Sequence, residues 1–144
     1  MKQALEPGLR HTFQYRVPES KTVPHLYPEA PELKKMPTVF ATGFMVGLFE
    51  WACIQAVNPF LEWPQEQTVG VEINVSHLAA TPVGLTVTVQ VVLQKVEGRM
   101  LHFSVMADDG IDKISEGTHK RYIIDEPKFS AKVRAKADKA APAV

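Results

Sequence analysis

PTVFATGFMVGLFEWACIQAVNP, residues 37–59, is apolar at almost every position from Phe40 to Val57. Pro37-Thr38 leads into it and Asn58-Pro59 stops it, which predicts a helix over about 42–57. A helix apolar on all sides belongs in the middle of a fold. One charge, Glu50, sits at its centre. A buried carboxylate is costly unless it is paired, hydrogen-bonded or neutral, so Glu50 is expected to be the chemical centre.

The flanking segments have to cover this helix. His11–Val17 (HTFQYRV) alternates as a strand would, with Phe13 and Tyr15 on one face. Lys21–Met36 (KTVPHLYPEAPELKKM) contains three prolines and forms neither a regular strand nor a long helix. Its apolar residues Val23, Leu26, Tyr27, Leu33 and Met36 suit a lid over a site, about 21–36. Four strands follow the helix. Thr68–Leu78 is expected to place Val69, Val71, Ile73, Val75 and His77 on one face. Leu85–Val96 does so with Leu85, Val87, Val89, Val91 and Leu93, and Arg99–Ala107 with Leu101, Phe103 and Val105. Ile111–Ile124 is the last, with Gly117 as a bulge or close approach. Glu97-Gly98 and Asp108-Asp109-Gly110 mark turns. The expected fold is α+β: an antiparallel sheet of about five strands wrapped around one long central helix, forming one domain over 1–129. Residues 130–144 are expected to be a flexible C-terminal tail.

The 144 residues carry 16 basic and 16 acidic side chains, so no charged field argues for nucleic acid. The single cysteine, Cys53, lies in the apolar helix and reads as a core residue, in keeping with a cytoplasmic protein. The N-terminus has no apolar run resembling a secretion signal. Val39–Val57 is nearly long enough to span a bilayer, but a central Glu costs about 2.5–3.5 kcal/mol there and the strands need the helix, so no membrane is expected. The five histidines show no metal-ligand spacing, and phosphate-loop, dinucleotide and G-x-S-x-G motifs are absent. No metal and no cofactor are expected.

Thr42, Glu50 and His77 are the candidates for chemistry. His77 points toward the helix by strand alternation, although a single inward His is most often a satisfied core residue. Thr42 lies at the helix start, where an N-cap is the ordinary reading. The free N–H groups at Gly43 and beyond suit a developing oxyanion. Thr42 and Glu50 are eight residues apart, about 12 Å along one helix, too far to flank one carbon. Two helices antiparallel across a two-fold axis would bring Thr42 of one chain to Glu50 of the other. That arrangement predicts a homodimer with sites at the subunit interface, and the partner would cover the helix's far flank. Arg121, in GTHKRYII, is either a solvated strand arginine or an anchor for a phosphate or an amide carbonyl at a pocket mouth.

VFATGFMVGLFEWACIQAV, VSHLAATPVGLTVTV, VEGRMLHFSVMADDG and GTHKR, with the segment KTVPHLYPEAPEL, together resemble the hotdog-fold thioesterases, most closely the fluoroacetyl-CoA thioesterase family. The resemblance covers most of residues 10–134. It implies a sheet wrapped around a central helix, a homodimer, and hydrolysis of a short-chain acyl-CoA thioester to the acid and free CoA, with CoA part of the substrate. It places the catalytic Thr, Glu and His at Thr42, Glu50 and His77, and substrate-holding residues at Gly70 and Arg121. Leu33 and Met36 stand in the lid where the family's best-known form carries aromatic side chains, which suits a small acyl group not restricted to fluoroacetyl. Glu50 would attack the carbonyl or act as base on water. His77 would protonate the thiolate or activate the water, and Thr42 would orient Glu50 or substrate, or be acylated itself. A non-catalytic acyl-CoA or lipid-binding module and an enoyl-CoA hydratase are the alternatives.

Overall fold

The computed structural model describes residues 1–140. Five strands form one antiparallel sheet: β1 (Arg10–Arg16), β2 (Glu66–Val75), β3 (Thr86–Glu97), β4 (Met100–Asp108) and β5 (Lys113–Asp125), in spatial order β1-β3-β4-β5-β2. A four-residue helix, α1 (Pro31–Lys34), lies in the lid segment, and α2 (Thr42–Val57) runs along the concave face of the sheet. The expected helix and all five strands are present, with ends displaced by one to three residues; β2 stops at Val75, so His77 lies just beyond the strand expected to carry it.

Alternation builds the core as the sequence requires. Val87, Val89, Val91 and Leu93 of β3 and Leu101, Phe103, Val105 and Ala107 of β4 are buried under α2. The helix answers with Met45, Leu48, Phe49, Ala52, Cys53, Ala56 and Val57. Each large apolar side chain so buried is worth about 1.5–3 kcal/mol. Gly98 takes φ +61° in the β3–β4 hairpin, a conformation that favours glycine. Gly117 is a close approach, since a Cβ there would collide with the Asn74 carbonyl on β2.

The sheet covers only one side of α2. Gly43 and Gly47 are exposed and Val46, Glu50 and Ile54 are half-buried, forming a stripe along the uncovered flank. Glu50 is therefore not buried within one chain, contrary to expectation. Its side chain is 40 % exposed.

Two further expectations are corrected. A bulge between Gly70 and Glu72 breaks the alternation of β2. Val71 is 53 % exposed, and Thr68 rather than Val69 turns inward, where its side chain binds buried Arg121. Residues 126–140, expected in part as tail, form α3 (Glu126–Ala140), which buries no residue. The rest of the expected tail, 141–144, lies outside the described residues. Among the described residues, no helix is long and apolar enough to cross a membrane.

Candidate active site

The amino end of α2 is held by the chain on both sides. Ala41 occupies the N-cap position without a side-chain cap, and its N–H donates to the Lys21 carbonyl. Thr42 is thus the first helical residue and not the cap, and the first amides of α2 have no intrahelical acceptor. The Thr42 hydroxyl lies 2.6 Å from His77 Nδ1. His77 follows the end of β2, where Ser76 and Leu78 still donate backbone bonds to Glu116 and Ile114 and so fix the segment. Burial pushes the His77 imidazole below the usual histidine range, so it is neutral at pH 7. With the hydroxyl donating to Nδ1, the ring proton sits on Nε2, which is buried with no partner among the described residues. A hydroxyl donating to a neutral imidazole is the geometry of an activated nucleophile.

Eight residues on, Glu50 meets a different set of neighbours. Its Oε1 accepts from Arg121 Nη1 at 2.9 Å. Arg121 is 3 % exposed and so is not a solvated strand residue. Its remaining donors are held by the fold: Nε donates to Thr68 Oγ1 and Nη2 to the Thr68 carbonyl, each at 2.8 Å. Gly70 faces Arg121 across the β2–β5 ladder. A Cβ at Gly70 would collide with Glu50 Oε1 and lie 3.4 Å from Arg121 Nη1. Glycine at 70 is what lets the carboxylate reach the guanidinium.

The expected residues are therefore gathered into two clusters, Thr42 with His77 and Glu50 with Gly70 and Arg121. Thr42 and Glu50 are separated by two turns of the same helix, about 12 Å. Leu26 Cδ2 lies 3.1 Å from where a Gly43 Cβ would stand, so the lid segment rests on the helix start. Val23 and Leu33 are half-buried and Met36 is exposed. Cys53 lies beneath, its thiol pushed up to about 12 by burial, so it is unreactive.

Two residues of the second cluster escaped the sequence reading. Thr68 holds two of the Arg121 donors, and His119 contacts Arg121 Nη1 through Nε2 at 3.1 Å. The signal for His119 was available, because in GTHKRYII it shares the face of Arg121 by strand alternation. The bulge hid Thr68.

The family model described as FlK, fluoroacetyl-CoA-specific thioesterase, matches residues 17–127. The fluoroacetyl-CoA thioesterase of Streptantibioticus cattleyicolor is 56 % identical over 136 residues, 94 % of this chain and 97 % of that protein. A crystal structure of a mutant of the fluoroacetyl-CoA-specific thioesterase FlK superposes with a TM-score of 0.91 at 56 % identity, covering 94 % of this chain and 99 % of that one. A threonine-to-serine mutant of FlK in complex with acetyl-CoA gives 0.89 at 55 % identity, covering 92 % and 98 %.

Proposed function

The chain belongs to the fluoroacetyl-CoA-specific thioesterase family and has its hotdog fold, and we propose that it hydrolyses short-chain acyl-CoA thioesters at sites completed by a second copy of itself. The observation that carries the shared site is the division of reactive groups into two clusters, one at the start of α2 and one two turns along its uncovered stripe. An antiparallel pairing of two α2 stripes would set Thr42 and His77 of one chain against Glu50, Gly70 and Arg121 of the other, giving two sites per dimer. Gly43 and Gly47 on that stripe permit close approach of the helices.

In this arrangement the thioester oxygen sits at the free amides near Gly43, where a helix amino end stabilises developing negative charge. Glu50 attacks the carbonyl to give a mixed anhydride, or takes a proton from the attacking water. The CoA leaves as thiolate and takes up the proton drawn from the attacking water, passed through protonated Glu50 or through the imidazolium that His77 becomes when it serves as the base, and the acid is released. Arg121 holds one carboxylate oxygen and leaves the other free for the substrate.

The 2.6 Å contact between Thr42 and His77 supports a second route to the same product. In it, Thr42 is acylated with His77 as its base, and Glu50 of the other chain prepares the water. Acyl-enzyme trapping by rapid quench and mass spectrometry separates the routes, since the added mass falls on Glu50 in one and on Thr42 in the other. Leu33 and Met36 give the lid segment flexible side chains, which favours acceptance of small acyl groups generally. The test of the function itself is a panel of acyl-CoAs from acetyl to medium chain, fluoroacetyl included, with thiol detection. Turnover confined to the short members is expected. No thiol release from any member would contradict the reading.

A further inference from the structure

His119 on β5 is buried, 2 % exposed, and its two ring nitrogens have different neighbours. Nδ1 lies 2.8 Å from the Glu72 carbonyl, which can only accept, so Nδ1 carries the proton. Nε2 lies 3.1 Å from Arg121 Nη1, which can only donate, so Nε2 accepts. The two contacts together fix both the tautomer and the neutral state. Burial acts the same way, and the neighbouring Arg121 charge adds to it.

Arg121 Nη1 has two hydrogens. One goes to His119 Nε2 and the other to Glu50 Oε1, at 2.9 Å. We propose that His119 is the positioning residue for Glu50: as a neutral acceptor it sets the angle at which Arg121 Nη1 presents its second hydrogen to the carboxylate, and so aims the free carboxylate oxygen at the substrate. The inference rests on the reading of Glu50 as a catalytic group.

Thr68 anchors the guanidinium at Nε and Nη2 but makes no contact with Nη1. The bond that orients Glu50 is therefore shared with His119 alone. The chemistry explains the choice of side chain. A carboxylate at this position would compete with Glu50 for the same positive charge, and an apolar side chain would leave a buried N–H unpaired. A neutral imidazole accepts the bond and leaves the whole charge of the guanidinium to Glu50, its only carboxylate partner among the described residues.

The experiment compares His119→Leu, His119→Gln and Glu50→Gln with the unaltered protein, using acetyl-CoA and fluoroacetyl-CoA with thiol detection, alongside thermal melting. His119→Leu is expected to lower kcat by about 10- to 100-fold with KM changed less than about threefold, as for a misplaced catalytic group. His119→Gln offers a carbonyl oxygen near the position of Nε2 and is expected to recover most of kcat. A purely structural role for His119 would lower melting temperature in both variants without that recovery. Full turnover in His119→Leu beside an inactive Glu50→Gln overturns this inference alone. Full turnover in Glu50→Gln overturns the functional reading beneath it. Should His119→Leu fail to fold, His119→Glu keeps an acceptor for Arg121 while drawing the guanidinium from Glu50. It is expected to show the same loss in kcat, and wild-type kcat there would also overturn the proposal.

Discussion

At the amino end of α2, Thr42 and His77 share one hydrogen bond of 2.6 Å, and the far nitrogen of the ring has no protein partner among the described residues. Two turns further on, Glu50 binds a guanidinium that is itself held by three other bonds, two from Thr68 and one from His119. The two regions sit on one helix and are built oppositely. The Glu50 end is fixed in advance by the fold, as a preorganised charge must be. At the Thr42 end the fold supplies one hydrogen bond and leaves the first amides of α2 without intrahelical acceptors.

The fixed end should break sharply and the open end by degrees. Among residues that do not themselves react, the largest effect is expected from Gly70→Ala, because the added methyl occupies the position of Glu50 Oε1. Displacing the carboxylate by about 1 Å should lower kcat by about 100-fold. Melting temperature should fall as well, because displacing Glu50 leaves the buried Arg121 charge without its carboxylate partner. Wild-type turnover in Gly70→Ala would mean that the Glu50–Arg121 geometry does not matter.

Acidity probes both ends next. Burial lowers the pKa of His77 and of His119 from 6.5, so both stay neutral as pH falls past that value while the unfolded chain takes up protons. Their contribution to stability is fully present above about pH 6.5 and is lost as pH falls through the folded-state values. The acid limb of kcat/KM is therefore expected below pH 6.5, and melting temperature should decline over the same range. A limb centred above 6.5 would show that neither ring is shielded as described.

Thr68→Val should sharpen the contrast in a quieter way. It leaves Arg121 Nε as a buried donor without an acceptor, at a cost of about 1–3 kcal/mol seen as a lower urea midpoint. The backbone bond to Nη2 and the His119 contact remain, so kcat should fall less than in Gly70→Ala. The smallest effect is expected from Leu26→Ala, which removes the lid contact over Gly43. It should raise KM severalfold with kcat nearly unchanged, and a raised kcat with unchanged KM would remove the lid from substrate binding.

Much of the fold could be read from apolar periodicity. The helix from 42 to 57 and the inward rows of β3 and β4 follow directly from it. The pattern failed where one residue is inserted into a strand. The bulge after Gly70 turns Thr68 inward and Val71 outward, and periodicity alone cannot show which residue will be extra. It failed again at α3, which buries nothing and so leaves no apolar stripe in the sequence. Glu50 was found because a charge in an apolar run is conspicuous. Its 40 % exposure could not be read there, since that depends on how far a five-stranded sheet can wrap. Thr42, His77, Gly70 and Arg121 were named from the sequence. Their separation into two clusters is a property of the fold.

Mixing two inactive variants tests the shared site most directly. His77→Ala and Glu50→Gln should each be folded and nearly inactive. If each site takes one cluster from each chain, a mixed dimer holds one intact site and one doubly damaged site. Equal amounts, unfolded together and refolded, should then recover about one quarter of the unaltered activity, because half the dimers are mixed and each has one working site. No recovery, with mixed dimers demonstrated by mass spectrometry, would place the whole site within a single chain and contradict the account.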